Sequence, residues 1–392
     1  MRIHRNLAEG VTQICDAILK NGEVAARALD KAFETNKKWG KRDRAFIAEN
    51  VYEIVRWKRF LGIAAGKGDA WSLLGAQIVR SGGELPEWSE FSHLDAERLR
   101  ANFARPDSDF SRAERQSIPL WLDELGESEL GAAWDAELEA LNQSAPVVIR
   151  ANTLQISRDE LRNQLNEAAI ETQTVPELPD ALQLQNRVSL ARFVNAGSCE
   201  IQDGASQMVA PFLEVQKGQK IVDACAGAGG KSLHIAALVQ NKAQILALDI
   251  AGEKLAELRK RAARGGAKIL AQKAMPEFLK TLENSADRVL IDAPCSGLGT
   301  LRRQSDIKWR LNAKTLEKTR GLQRELLREN AKIVKSGGKL VYATCSILHS
   351  ENAEQIAWFL SENPDFELEE TREISVAQTG FDGFFMARLR RK

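Results

Sequence analysis

Residues 220–232 read KIVDACAGAGGKS, and the fold turns on how this stretch is understood. A short apolar run, Ile221-Val222, passes through Gly227, Gly229 and Gly230 into KSLHIAALVQ, a segment of helical length and composition. A strand that turns through glycines into a helix lets backbone N–H groups approach a ligand at the helix start. The same alternation continues downstream. QILALDI (244–250) is a strand, GEKLAELRKRAARGG (252–266) a helix and DRVLIDAPC (287–295) a strand. A long basic helical region to Lys335 follows, then the strand KLVYATC (339–345), the helix SENAEQIAWFLSE (350–362) and a last strand in GFDGFFMARLR (380–390). Strands alternating with helices predict a mostly parallel, doubly wound, Rossmann-like α/β sheet with its ligands at the carboxyl ends of the strands.

Three kinds of ligand compete for the glycine turn. A phosphate-binding P-loop needs glycine where Cys225 stands, and a dinucleotide fingerprint needs its third glycine where Ser232 stands. Asp249, closing the next strand, suits the ribose hydroxyls of a dinucleotide or of S-adenosylmethionine. Two further strands end in thiols. Asp292, Pro294 and Cys295 close DRVLIDAPC, and Cys345 closes KLVYATC. A free cysteine is often inert core filling, but two at equivalent strand ends face the same crevice as the glycine turn. The five cysteines (Cys15, Cys199, Cys225, Cys295, Cys345) are odd in number and form no CxxC pair, which fits neither a disulfide framework nor a local zinc site.

Upstream the pattern changes. VTQICDAILK (11–20) and AFIAENVYEIVRWKRFLG (45–62) carry apolar residues at helical spacing, and six of the eight tryptophans lie between Trp39 and Trp134. The stretch from Ser81, SGGELPEWSEFSHLDAE, predicts a surface connection, and Ala104 to Pro119 a polar linker or irregular crossing. From Pro146, VVIRANT and ALQLQ read as strands around the helix SRDELRNQLNEAAI, which Ser157 and Glu160 open as a capping box. Three domains follow: a helical 1–115, a small α/β 116–204 and the Rossmann-like 205–392. With 55 Lys+Arg against 54 Asp+Glu in 392 residues, net charge selects no partner, so any nucleic-acid preference must be local. Two such basic stretches exist, 37–60 and 300–328, both with interleaved aromatics. The absence of a long apolar run or an apolar leader predicts a cytoplasmic protein without a membrane span.

DACAGAGGK, DAPCSG and YATCS, in this order, resemble the motifs of RNA cytosine-C5 methyltransferases of the Nop/Sun type, including the RsmB enzymes. RANT (150–153), IQDGASQ (201–207) and RRQSDIKWR (302–310) extend the resemblance, and the helical N-terminus resembles a NusB-like domain. The resemblance implies a class I methyltransferase sheet, a ferredoxin- or RRM-like middle domain, S-adenosylmethionine as cofactor and no metal. It assigns Cys345 as the nucleophile on cytosine C6, Cys295 to product release, and Asp292 to contact with the base or the cofactor. It assigns the cofactor to Cys225, Ala226, Gly227, Ala228, Gly229, Gly230, Lys231, Asp249 and Asp292. Two departures stand out. The usual CAAPGGK appears as CAGAGGK, and the acidic residue common between later strands is replaced by Lys273 and Ala274.

The chemistry suits the residues. Cytosine C5 is a poor nucleophile until a thiolate adds to C6, and the base must be unstacked, which favours single-stranded or loop RNA, with ribosomal RNA the implied class. Lys231 is a candidate to stabilise the thiolate, and His349, four residues after Cys345, is better explained as a surface or core histidine than as a base. Two other functions fit parts of the pattern. One is a catalytically silent RNA-binding or ribosome-assembly factor, against which both intact cysteines stand. The other is a dinucleotide-dependent oxidoreductase, which Ser232 disfavours and which leaves the paired cysteines unexplained.

Overall fold

A computed structural model describes residues 3–392 and divides them into two compact units. The first holds the described residues through Gln143 together with Leu301–Asn312; the second holds Ser144–Thr300 and Ala313–Lys392. Among the described residues no helix is long and apolar enough to cross a membrane.

The first unit is helical. Its longer helices are Arg5–Leu19, Ala25–Thr35, Lys41–Ala65, Ala70–Arg80, Ala96–Phe103, Leu120–Leu130 and Trp134–Leu141. Val11, Ile14, Cys15 and Ile18 bury one face of the first helix among Ile47, Val51, Ile54 and Val55 of the third and Leu73 and Leu74 of the fourth. These are the positions whose spacing marked the helices in sequence. The stretch from Ser81 is a surface connection between helices Ala70–Arg80 and Ala96–Phe103, as expected, and aromatic contacts hold it. Trp88 and Phe91 stack with centroids 5.7 Å apart, and Trp71 meets Phe91 edge-on at 5.6 Å, so the segment after Ser81 is clamped to a helix. Between Ala104 and Pro119, read in sequence as a linker or irregular crossing, two short helical turns form and several polar groups are paired. Ser111 forms a capping box with Glu114, Ser117 Oγ accepts the Arg59 N–H at 2.9 Å, and the Arg59 guanidinium donates to the Ile118 carbonyl at 2.9 Å. Helices Leu120–Leu130 and Trp134–Leu141 fall in this unit.

The second unit carries two sheets. In the smaller, β1 (Val148–Ala151), β2 (Thr172–Val175), β3 (Leu178–Leu184) and β4 (Cys199–Ile201) pair antiparallel in the order β2-β3-β1-β4. Leu161 and Leu165 of helix Arg158–Glu167 pack against Ile149 and Leu182. The larger sheet comprises β5 (Lys220–Asp223), β6 (Gln244–Asp249), β7 (Leu270–Lys273), β8 (Ala286–Asp292), β9 (Val334–Thr344), β10 (Phe366–Ile374) and β11 (Phe384–Arg391), in the order β10-β11-β9-β8-β5-β6-β7. The run β9-β8-β5-β6-β7 is parallel, and β11 is antiparallel to both β9 and β10. This is the Rossmann-like sheet expected, with an antiparallel edge added. Both edge strands, β7 and β10, lack the apolar signal of the central ones: Leu270 is exposed, and β10 presents Glu369 and Glu370 to Arg388 at 2.9 Å each.

Gly126 supplies a packing test. Alanine in a helix is ordinarily better than glycine by about 1 kcal/mol. At Gly126 a Cβ would overlap the buried Trp134 indole, whose Nε1 is fixed to Asp123 at 2.8 Å. Gly126→Ala should therefore lower stability by about 1–3 kcal/mol in a denaturant titration; a gain in stability would mean the indole is not held there.

Candidate active site

β5 lies between β6 and β8, so the chain leaves it toward one side first and the other later. Such a switch point opens a crevice at the carboxyl ends of the strands. A cavity of about 410 Å³ occupies it. Cys225, Ala226, Gly227, Ala228, Gly230, Lys231, Asp249 and Asp292 line it, joined by Gln202, Ser206, Lys254, Arg261 and Pro294. Gly229 does not. Its φ is +91° and a Cβ there would lie 2.6 Å from Leu258 Cγ, so it serves the approach of helix Gly252–Gly265. Gly227, with φ +54°, would carry its Cβ into open space.

The glycine turn is held by polar contacts from several elements. Asp249 accepts the N–H of Gly227 at 2.9 Å and of Ala251 at 2.8 Å, so the carboxylate marked for ribose also shapes the turn. Arg261 donates to the Ala228 carbonyl at 2.7 Å and pairs with Glu200 at 2.6 Å. Arg150 reaches the Gly230 carbonyl at 3.1 Å and the Gln202 side chain. Burial pushes the Arg150 guanidinium pKa down to about 10, partly offset by Glu200. Asn152 donates to the carbonyls of Gly197 and Gly265 at 2.8 Å each. The RANT and IQDGASQ stretches thus brace the cavity. Arg261 and Lys254 carried no motif and were missed, since one basic helix face resembles another in sequence. At the position of the absent acidic residue, the Ala274 N–H donates to the Asp249 carbonyl at 3.1 Å.

Lys231 and Asp292 form an ion pair at 2.6 Å, and the ammonium lies 5.1 Å from the Phe384 ring centroid. Lys231 is therefore engaged by Asp292, where sequence offered it to a thiolate. The two thiols do meet. Cys295 Sγ and Cys345 Sγ are 3.4 Å apart, on the turns that follow the adjacent strands β8 and β9. The hydrogen bond to Cys345, burial and the nearby Glu351 together push the Cys295 thiol well above its ordinary pKa. His349 is exposed.

Glu351 and Asp223 are two buried carboxylates that sequence reasoning did not single out. Glu351 is fully buried beneath the two cysteine turns and accepts from both. Its only sequence signal was an acidic residue six places after a cysteine, which is no motif alone. Asp223, at the end of β5, accepts the Ser232 hydroxyl at 2.6 Å. Burial raises its pKa to about 7, against the lowering effect of the Ser232 bond.

The Asp223 shift fixes a sign. A carboxyl whose folded pKa lies above its unfolded value binds its proton more tightly when folded, so stability falls as pH rises between those two values. From about pH 4 to about pH 7 the protein should lose up to about 1.4 kcal/mol per pH unit through this group. Asp223→Asn, which keeps a side-chain acceptor for Ser232, should remove that slope. Parallel pH–stability curves for the two proteins would show that Asp223 does not titrate in this window.

A family model described as 16S rRNA methyltransferase RsmB/F matches residues 210–390, and one described as an RsmF/B-like ferredoxin-like domain matches residues 118–191. The ribosomal RNA small subunit methyltransferase B of Klebsiella pneumoniae is 36% identical over 306 residues, spanning 75% of this chain and 69% of that one. Among solved structures, the crystallised protein PH0851 is 24% identical, with a TM-score of 0.81 and the full length of both chains covered. A methyltransferase homolog protein from Pyrococcus horikoshii is 25% identical, with a TM-score of 0.65, over 74% of this chain and all of that one. With these relatives, the switch-point cavity and the paired thiols beside it, the chain belongs to the RsmB/F family of 16S rRNA methyltransferases.

Proposed function

We propose that the protein methylates C5 of a cytosine in small-subunit ribosomal RNA, with Cys345 as the nucleophile. The observation that carries this is the thiol pair: two sulfurs 3.4 Å apart at the ends of adjacent strands. S-adenosylmethionine, when bound, supplies an electrophilic methyl group. The cavity suits it in size and character, since ligand pockets of roughly 300–1,000 Å³ hold molecules of this class. The open space beside Gly227 admits a ligand against the backbone. Cys225, Ala226, Gly227, Ala228, Gly230, Lys231, Asp249 and Asp292 would hold it.

In this scheme the Cys345 thiolate adds to cytosine C6, and the electron pair of the C5–C6 double bond becomes available at C5 for bonding to carbon. Asp292, fixed by Lys231, orients the base through its exocyclic amine. Water takes the C5 proton, the C5–H electron pair re-forms the C5–C6 double bond, and the sulfur–C6 bond breaks with its pair returning to the Cys345 sulfur. Cys295, the thiol beside the leaving sulfur, assists this last step. With its sulfur 3.4 Å away, Cys295 is placed to give a proton to the departing sulfur.

RNA contact is assigned to the regions 1–115 and 116–204 as well as to the catalytic region 205–392. In the helical unit, Lys58, Arg59 and Lys67 line an open cleft of about 500 Å³ with glycine backbone and Trp309, whose ring lies 4.8 Å from the Lys58 ammonium. Cations beside an aromatic face suit single-stranded RNA. The stretch 300–328 divides. Arg302 and Lys308 are buried, while Lys314, Lys318, Arg324 and Arg328 are exposed on helix Ala313–Ala331.

Two experiments test this function. With S-adenosylmethionine and RNA, Cys345→Ala should give neither product nor adduct, whereas Cys295→Ala should accumulate a protein–RNA complex that survives a denaturing gel. An adduct with Cys345→Ala and none with Cys295→Ala would exchange the roles. For binding, Lys58→Glu with Lys67→Glu should weaken RNA affinity and reduce the salt dependence by roughly one logarithmic unit per lost phosphate contact. A salt slope equal to wild type would remove the cleft from the RNA path.

A further inference from the structure

The turns that carry the two thiols are built alike. Each cysteine is followed by a serine, and each serine Oγ accepts an N–H two residues on: Leu298 to Ser296 at 3.3 Å and Leu348 to Ser346 at 3.2 Å. Both serine hydroxyls donate to Oε2 of Glu351, Ser296 at 2.5 Å. Oε1 accepts the Ser296 N–H at 2.8 Å and Gln323 Nε2 at 3.0 Å. The same Gln323 nitrogen donates to the Pro294 carbonyl at 2.9 Å, and Tyr342 OH donates to the Glu351 carbonyl at 2.7 Å. Glu351 has no solvent exposure, so protein donors must replace water around its carboxylate. Three of its four donor groups belong to the cysteine turns. Separating the turns would strip them away, and so the carboxylate resists separation.

We propose that Glu351 is a positioning residue that clamps the turn after β8 to the turn after β9, setting Cys295 and Cys345 at the spacing from which both act on one nucleobase. The clamp gives the Cys345 scheme above its geometry and rests on it. A glutamine at 351 can keep the ties. Its carbonyl oxygen accepts from the Ser296 N–H and Gln323, while its NH₂ donates to the serine oxygens once the hydroxyls rotate. An alanine cannot.

The full-length protein tests the clamp with Glu351→Ala, Glu351→Gln and the double variant Ser296→Ala/Ser346→Ala, which cuts two ties without opening a large cavity. Glu351→Ala and the double serine variant should lose kcat by about 10²-fold with KM for RNA unchanged, the scale of a displacement of about an ångström. Glu351→Gln should restore kcat to near wild type. A second readout does not depend on which thiol attacks. Phenylarsine oxide condenses with two neighbouring thiols, forming two As–S bonds and releasing one water, and intact mass reports the product. Wild type and Glu351→Gln should capture the arsenical across Cys295 and Cys345, and Glu351→Ala and the double serine variant should not. If Glu351→Ala does not fold, the double serine variant decides. Wild-type kcat and arsenical capture in a folded clamp variant, or a folded Glu351→Gln that fails to restore kcat, would overturn the proposal. Methylation by Cys345→Ala, with capture still lost in the clamp variants, would sink the nucleophile assignment and leave the clamp standing.

Discussion

Parallel pairing of β5 with both β6 and β8 is the constraint on which the site depends. Because the three strands run the same way, their carboxyl ends open on one edge of the sheet. The Gly227 turn, Asp249 and the Asp292–Cys295 segment are brought there from positions far apart in sequence. β9 extends the parallel run and delivers Cys345 next to Cys295. Ala293 donates its N–H to Ala343 at 2.8 Å, carrying the pairing up to the residues just before the cysteines. The register of two adjacent strands therefore places one thiol beside the other, and no loop has to search for its partner.

Above the strand ends the framework becomes polar. Asp223, Arg150 and Glu351 are each buried and each bonds to partners from a different element, although Asp223 Oδ1 and Arg150 Nε have no hydrogen-bond partner. Polar groups in a low-dielectric interior are costly when unpaired, so such a network admits few alternative arrangements. Apolar packing holds the sheet together, with Val222, Val289, Leu340 and Tyr342 at its centre. The polar contacts then fix where the turns sit on it. That division suits a site that must keep two sulfurs and a cofactor cavity in register.

Sequence carried the central strands and both thiols plainly, because a buried parallel strand leaves an unbroken apolar run and the cysteines close two of them. It carried the glycine turn but not the separate roles of its glycines. Gly227 faces the cavity and Gly229 meets Leu258, a distinction that needs the third dimension. The edge strands β7 and β10 were lost because a strand paired on one side need not be apolar. The linker or irregular crossing read before Pro119 carries two short helical turns, and polar side chains in local pairs such as Ser111 and Glu114 look in sequence like polar side chains in water. Glu351 was illegible for the same reason. Its meaning lies in donors at 296, 323 and 346, brought together only by the fold.

The most direct test of the account uses RNA in which the target cytosine carries fluorine at C5. Fluorine cannot leave as a cation, so after methyl transfer the sulfur–C6 bond has no route to break and the enzyme stays attached to its substrate. Digestion of the trapped complex and mass spectrometry of the peptides then identify the attached sulfur. The nucleotide should be found on the peptide containing Cys345, with Cys295 unmodified. Attachment at Cys295, or methyl transfer with no covalent complex at either cysteine, would contradict the account.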